Sequence, residues 1–275
     1  MLKKIKNKTV NNSPIGIFDS GLGGLTVMSA INKALPLENL IYFGDTARVP
    51  YGSKSKDIVI KYSKEIASFL MKHKVKLIVV ACNTASAFAL AVLKKTLEVP
   101  VIGVIEPGSK AAVCASKNKK IGVIGTEGTI NSGSYPREID KISKCEVYQQ
   151  ACPLLVPLVE EGWNDEEITD VIVKKYMKPL LSKRIDTLVL GCTHYPLLKK
   201  TFEKNAGSKV ILIDSAEATA GEVKNVLNKK RLFADEKSRK FLRFYVSDNP
   251  DKFKSIGSRF FSKKISCVKK IECFG

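Results

Sequence analysis

The feature that most constrains this chain is an alternation. Short, nearly continuous apolar runs rich in Val, Ile and Leu are separated by longer stretches with helical spacing. A sheet buried on both faces needs such runs, because helices cover both of its sides. Parallel strands also need crossovers long enough to hold a helix. Runs at Ile15–Phe18, Leu40–Phe43, Leu77–Ala81, Val101–Val104, Ile121–Ile124, Thr187–Leu190 and Val210–Ile213 are therefore read as strands. Helices are expected over Leu25–Ala34, Lys56–His73, Ala85–Leu97, Ser132–Ile142, Asp165–Leu181 and Glu217–Leu227. Asn164 or Asp165 ahead of Glu167, and Ser55 ahead of Asp57, fit helix starts, and Pro36, Pro100 and Pro179 punctuate. The fold class that follows is α/β with mostly parallel sheets.

At 275 residues, with 44% apolar and 27% charged side chains, the chain can bury a core as one large domain or two smaller ones. The most apolar window, Leu77–Leu93, is broken by Asn83, Thr84 and Ser86. It falls short of the ~20 residues a membrane span needs. The opening MLKKIKNKTVNNSP is basic but carries no apolar signal core, so the cytoplasm is expected. The formal charge of +19 is spread over Lys3, Lys4, Lys6 and Lys8, a loop with Lys117, Lys119 and Lys120, and a late stretch from Lys229 onward. Lysine far outnumbers arginine, and no basic run is interleaved with stacking aromatics. Solvated surface explains this better than nucleic-acid binding. The seven cysteines, at 82, 114, 145, 152, 192, 267 and 273, are odd in number and widely spread, so reduced thiols are expected.

Two segments share a plan. LIVVACNTAS (77–86) and TLVLGCTHYP (187–196) each run from an apolar strand through one small residue to a cysteine, then to short polar groups opening a helix. Two related α/β halves are expected, each offering a thiol from the carboxyl end of a strand, where open α/β sheets bind ligands. A helix N-terminus there would lower a thiol pKa and welcome an anion. A lone cysteine in such a place is as often a small core residue. A matched pair, followed by Asn83-Thr84 and Thr193-His194, favours chemistry. A zinc set of Cys82, Cys152, Cys192 and His194 lacks the short ligand spacings of such sites, so no metal is expected.

The remaining polar clusters follow other strands. IFDSGLGGLTV (17–27) offers Asp19 and Ser20, with Gly21, Gly23 and Gly24 placed to expose backbone N–H groups to a carboxylate or phosphate. It matches a phosphate loop only loosely. GDTARVPYGSKS (44–55) offers Asp45, Tyr51 and Gly52, although Pro50 and Gly52 would make an ordinary turn. VPLVEEG (156–162) puts Glu160 and Glu161 on a helix, where such pairs are commonly surface. His73, among lysines, reads as surface. His194 stands two residues from a candidate thiol that it could tune or orient.

DSGLGGLTV, GDTARVPYG, ACNTAS, IGVIGTEGTINSGSY, ACPLLVPLVEEG and GCTHYPLL, in this order between Ile15 and Phe261, resemble the bacterial glutamate racemase family of the aspartate/glutamate racemase superfamily. The first 13 residues and the basic C-terminal end lie outside the match. The DSGxGG opening is similar to the glutamate branch, whereas aspartate enzymes usually begin with a GGMGP-like loop. The resemblance implies two α/β domains, 1–106 plus 215–275 and an inserted 107–214, with the active site between them. It implies that Cys82 and Cys192 are the acid/base pair, working without pyridoxal phosphate or metal. Cys82 would take the α-proton of D-glutamate and Cys192 that of L-glutamate. Two bases suit the task, because one base on one face would return the proton to the side it left. By the same resemblance Asp19, Ser20, Tyr51, Gly52, Asn83, Thr84, Thr193 and His194 bind substrate. Asp19 assists Cys82, His194 assists Cys192, and Asp45 and Glu160 are further acidic residues of the catalytic machinery. Thr126 and Thr129 in the GTEGT loop are further candidates for lining the pocket and stand outside the assigned set. L-/D-glutamate is then the small-molecule partner and D-glutamate supplies peptidoglycan precursors; relatives are often dimers, in more than one arrangement, so a homodimer is an assembly the resemblance allows and the sequence does not fix. Two alternatives stand beside this reading: an aspartate or broad amino-acid racemase, and a non-catalytic ligand-binding or regulatory protein on the same fold.

Overall fold

The structure, a computed structural model, describes residues 11–235 and 239–272. The early lysines at 3, 4, 6 and 8, and Cys273, lie outside the described residues. The first stretch alternates β1 (Ile15–Asp19), α1 (Leu25–Ala34), β2 (Leu40–Gly44), α2 (Lys56–Lys72), β3 (Leu77–Val80), α3 (Asn83–Thr96), β4 (Val101–Gly103) and α4 (Ile105–Ala115). The second runs β5 (Lys120–Gly125), α5 (Glu127–Asn131), α6 (Ser134–Asp140), β6 (Glu146–Ala151), α7 (Leu155–Glu161), α8 (Glu167–Leu181), β7 (Thr187–Gly191), α9 (Lys199–Ala206) and β8 (Ile211–Asp214). The chain then adds α10 (Ser215–Lys230), β9 (Leu242–Val246), α11 (Pro250–Phe261) and β10 (Lys269–Lys270).

Two sheets result, ordered β10-β9-β2-β1-β3-β4 and β6-β5-β7-β8. All their strand pairs are parallel. Counted from the first strand of each, β2-β1-β3-β4 and β6-β5-β7-β8 are the same winding. The connections leave the first strand in opposite directions toward its two neighbours, which opens a crevice beyond the carboxyl ends of first and third strands. Cys82 follows the third strand of one sheet and Cys192 the third strand of the other. The repeat read from the sequence is thus a repeat of topology.

Strands β1, β2, β3 and β7 are buried at every residue, as their unbroken apolar sequences require. Their residues split by alternate faces. Ile15 and Ile17, with Leu77 and Val79, join a core that extends through both sheets. Phe18, Ile78 and Val80 face a second core with Val59, Ile66 and Leu70 of α2. Helices α4 and α10 carry the chain from one sheet to the other and back, and they pack on each other.

Several expectations need correction. Helix α8 begins after Glu166, so neither Asn164 nor Asp165 caps it, and Pro179 lies inside its last turn instead of ending it. Ser55 does precede α2 but makes no side-chain cap. His73 is half-buried at the end of α2, with its ring centroid 4.5 Å from Phe69 and 5.2 Å from Tyr245. Strand β6, EVYQQA, was not readable as a strand because it is a half-exposed edge with polar faces. No helix among the described residues is long and apolar enough to cross a membrane.

Candidate active site

Cys82 caps α3. Its Sγ accepts the Ala85 N–H at 3.5 Å, and its thiol reaches Ser20 Oγ at 3.7 Å. The helix start is present as expected, yet the thiol is not acidified. Burial, reinforced by the nearby Asp19 charge, pushes its pKa up to about 12, against the smaller pull of the Ala85 and Ser20 hydrogen bonds. Asp19 ends β1 fully buried. Burial raises its pKa too, although the His194 charge and hydrogen bonds from Gly21, Gly24 and Thr193 act the other way. The anion that the glycine N–H groups meet is therefore this chain's own carboxylate. Gly21 N–H donates to Asp19 Oδ2 at 2.9 Å. The turn is held from behind by Tyr42, whose hydroxyl donates to Gly21 O at 2.9 Å.

Cys192 has a different setting. Strand β7 is followed by a short 3₁₀ turn, Tyr195–Leu198, and not directly by an α-helix. Its Sγ lies 3.8 Å from His194 Nδ1, and His194 Nε2 lies 3.0 Å from Glu160 Oε1 at the end of α7. The imidazole edge packs on Phe260 of α11 at 5.2 Å. Burial alone would lower the imidazole pKa, but the hydrogen bonds to Cys192 and Glu160 outweigh it and raise it to about 10. Glu160 stays below the usual carboxylate range, since His194 and Lys252 together outweigh its burial. Of the two neighbouring acids only Glu160 enters this chain of contacts, and Glu161 is exposed.

The loops of the two sheets interlock. A Cβ on Gly23 would stand 2.2 Å from Thr193 Oγ1 and 2.6 Å from His194 Nδ1, so only glycine permits this approach. Thr193 Oγ1 donates to Asp19 Oδ1 at 3.3 Å. Thr84 from the first sheet joins Thr126 and Thr129 from the second in a triangle of hydroxyls at 2.9, 3.2 and 3.0 Å. Gly52 is pressed against Thr126, where a Cβ would come within 2.6 Å. Asn83 accepts from Tyr135 Oη at 2.8 Å, while its buried Nδ2 finds no acceptor among the described residues.

The structure brings Asp19, Ser20, Cys82, Asn83, Thr84, Cys192, Thr193, His194 and Glu160 to this cleft. Asp45 is set one shell back. Fully buried, it accepts from Arg48 Nε at 2.8 Å, Ser247 Oγ at 2.8 Å and the Tyr51 hydroxyl. It reaches the cleft through Tyr51 and the adjoining Gly52. Arg48 in turn lies over the Tyr62 ring and pairs with Glu65. Cys152, the third thiol of the zinc alternative, is fully buried, with its Sγ directed at Gln150 O at 3.6 Å. Among the described residues no three His, Cys, Asp or Glu side chains converge as metal ligands. Tyr42, Tyr135, Ser247 and Phe260 went unread, because each is an ordinary core residue in its local sequence. Tyr135 closes the IGVIGTEGTINSGSY motif, the one sequence signal that it carries.

Fold and site define a cleft between two equivalently wound α/β sheets, each presenting a thiol from its third strand. Residues 15–223 match the family described as Asp/Glu/Hydantoin racemase. Over 255 residues the chain is 52% identical to a glutamate racemase from Geobacter metallireducens, covering 92% of this chain and 94% of that one. A glutamate racemase isoform from Bacillus anthracis superposes with a TM-score of 0.92 at 42% identity, covering 95% and 98% of the two chains. The glutamate racemase of Francisella tularensis, solved in complex with D-glutamate, does so with a TM-score of 0.89 at 38% identity, covering 95% and 98%. The chain belongs to the Asp/Glu/Hydantoin racemase family. It is an amino-acid racemase, an isomerase.

Proposed function

We propose that this racemase interconverts L- and D-glutamate, with Cys82 and Cys192 as the acid/base pair on opposite faces of the α-carbon. The observation that carries the reading is the matched placement of the two thiols at the third-strand ends of two interlocked sheets. The Francisella relative solved with D-glutamate supports the substrate. In each turnover one sulfur, as thiolate, takes the α-proton, the pair of electrons stays on the substrate carbon and its carboxylate, and the other thiol returns a proton to the opposite face. The two sulfurs leave with exchanged protonation.

The L-to-D direction requires Cys82 as proton donor, and burial beside Asp19 leaves it protonated. His194, charged below a pKa of about 10, places a proton beside Cys192. In the reverse direction Cys82 must act as base. An ammonium group entering a buried site favours its thiolate by the same charge logic. The carbanion is held by preorganised donors, for which Asn83 Nδ2 and the hydroxyls of Ser20 and Thr84 are the candidates. Asp19 and Glu160 act on the two thiols through charge and through His194. Asp45 acts through the Tyr51-Gly52 turn. The domain division that fits this cleft is 1–106 plus 215–275 against 107–214, as supported by the strands each sheet draws on. Supply of D-glutamate to peptidoglycan in a bacterial cytoplasm is the role that this activity would serve.

The test is α-proton exchange of L- and D-glutamate in D₂O, followed by NMR without added cofactor, for wild type, Cys82→Ser and Cys192→Ser. Exchange with inversion from both enantiomers is expected for wild type. Each serine variant should lose inversion and retain at most exchange from one enantiomer. Identical two-sided exchange in either variant would remove that cysteine from the mechanism, and turnover of aspartate alone would move the substrate.

A further inference from the structure

Tyr135 comes from α6 on the second sheet's side and is fully buried. Its ring lies against Gly191, the residue before Cys192, where a Cβ would stand 3.1 Å from Cε2. Its hydroxyl crosses to the first sheet's side and donates to Asn83 Oδ1, beside Cys82, at 2.8 Å. One side chain therefore reaches from the end of one thiol-bearing strand to the start of the other thiol's helix.

The amide of Asn83 has a donor end and an acceptor end of nearly the same shape, so packing alone does not choose its orientation. A hydrogen bond does. With Oδ1 taken by Tyr135, Nδ2 is the end left over, and it is buried without an acceptor among the described residues. Turning the amide over would make the phenol oxygen the acceptor of the NH₂, take away the acceptor of the buried phenol proton, and present a carbonyl oxygen where an amino acid's carboxylate must sit. These changes bury unsatisfied or repelling groups. The phenol keeps its proton throughout, because burial and the neighbouring Cys192 raise its pKa above the ordinary tyrosine value.

We infer that Tyr135 is a positioning residue for the racemisation, holding the Asn83 amide so that Nδ2 donates to the substrate carboxylate. This rests on the cleft reading above and adds to it a residue from the opposite sheet. Tyr135 thereby makes substrate capture beside Cys82 depend on the two sheets being docked.

The test is a double-mutant cycle on the whole chain, with Tyr135→Phe, Asn83→Ala and their combination, run on whichever amino acid wild type turns over. Wild-type turnover of glutamate checks the substrate reading separately from the cycle. Tyr135→Phe should lower kcat/KM about 10-fold, chiefly through KM, while Asn83→Ala lowers it about 100-fold. In the Asn83→Ala background the phenylalanine should cost less than about 2-fold, because the group it positions is gone. Melting temperatures report any purely structural cost, which would be the same in both backgrounds. Asn83→Asp gives a second reading should the phenylalanine variant fold poorly. It keeps an acceptor for Tyr135 and removes the donor, so KM should rise at least as far as in Asn83→Ala with the melting temperature preserved. Equal losses in both backgrounds, no loss in Tyr135→Phe, or a wild-type KM in Asn83→Asp would each overturn the assignment.

Discussion

Cys82 and Cys192 occupy the same station in the winding of their sheets, but their neighbours carry opposite charge. Beside Cys82 lies a fully buried carboxylate, Asp19, together with two neutral partners, the Ser20 hydroxyl that accepts from the thiol and the Ala85 N–H that donates to it. Beside Cys192 lies an imidazole whose far nitrogen is tied to Glu160. The fold supplies position twice over, and the loops supply charge once with each sign. Helix-start geometry also separates the two, since Cys82 caps an α-helix and Cys192 leads into a 3₁₀ turn. Of these differences the charge matters more. The capped thiol has its pKa pushed up to about 12, so burial and Asp19 override what the helix end offers.

Removing the cation should have the largest effect on this contrast. His194→Asn keeps a polar side chain of similar reach but no titratable proton, and kcat/KM should fall about 100-fold, within the usual range for a lost acid/base partner. The wild-type rate should decline on the alkaline side as His194 titrates near its pKa of about 10, and that limb should be absent from the variant. A pH–rate profile of both proteins checks this, and an unchanged limb would separate His194 from it.

Removing the anion should act on the other thiol. In Asp19→Asn the charge that helps hold the Cys82 proton disappears, so the Cys82 titration should move down from about 12. Thiolate absorbance or alkylation rate against pH, measured in a variant in which Cys82 is the only reactive thiol, reads the shift. A titration that stays in place would leave burial as the whole cause.

The smallest effect is on stability. A histidine pKa raised on folding stabilises fully below the unfolded value of 6.5, and that contribution fades as pH rises through about 10. Glu160, held below 4.5, adds stability that fades as pH falls through its folded value. The melting-temperature gap between wild type and His194→Asn should therefore be widest between 4.5 and 6.5 and close toward pH 10. Thermal melts across that range would show a gap of a few degrees, and a gap independent of pH would break the ion-pair account.

The legible parts of this molecule were those written locally. Strands such as LIYFG and TLVLG declare double-sided burial by composition alone, and six of the expected helices stand where periodicity put them to within a turn. Asp19-Ser20, Cys82-Asn83-Thr84 and Cys192-Thr193-His194 were visible because each group is contiguous. Contacts between distant segments were not visible. Tyr135 meets Asn83 across 52 positions, and Asp45 meets Ser247 across 202, with nothing in either sequence neighbourhood to announce it. The sign of the Cys82 shift was also hidden, since a strand-to-helix junction can be read from residues, whereas the depth at which it lies depends on what the second sheet covers.

Enantiomers dissolved in water have equal free energies, so their equilibrium constant is one. An enzyme that interconverts them must therefore show the same kcat/KM in both directions, whatever its own asymmetry. The carboxylate on one side of the cleft and the imidazole on the other cannot bias the final mixture. They can only divide the shared specificity constant differently between saturation and turnover, with a higher ceiling for one antipode matched by a proportionally weaker hold on it. On the proposed mechanism Asp19 and His194 would thus tune how quickly each antipode is handled when abundant, and leave untouched the point at which the exchange comes to rest.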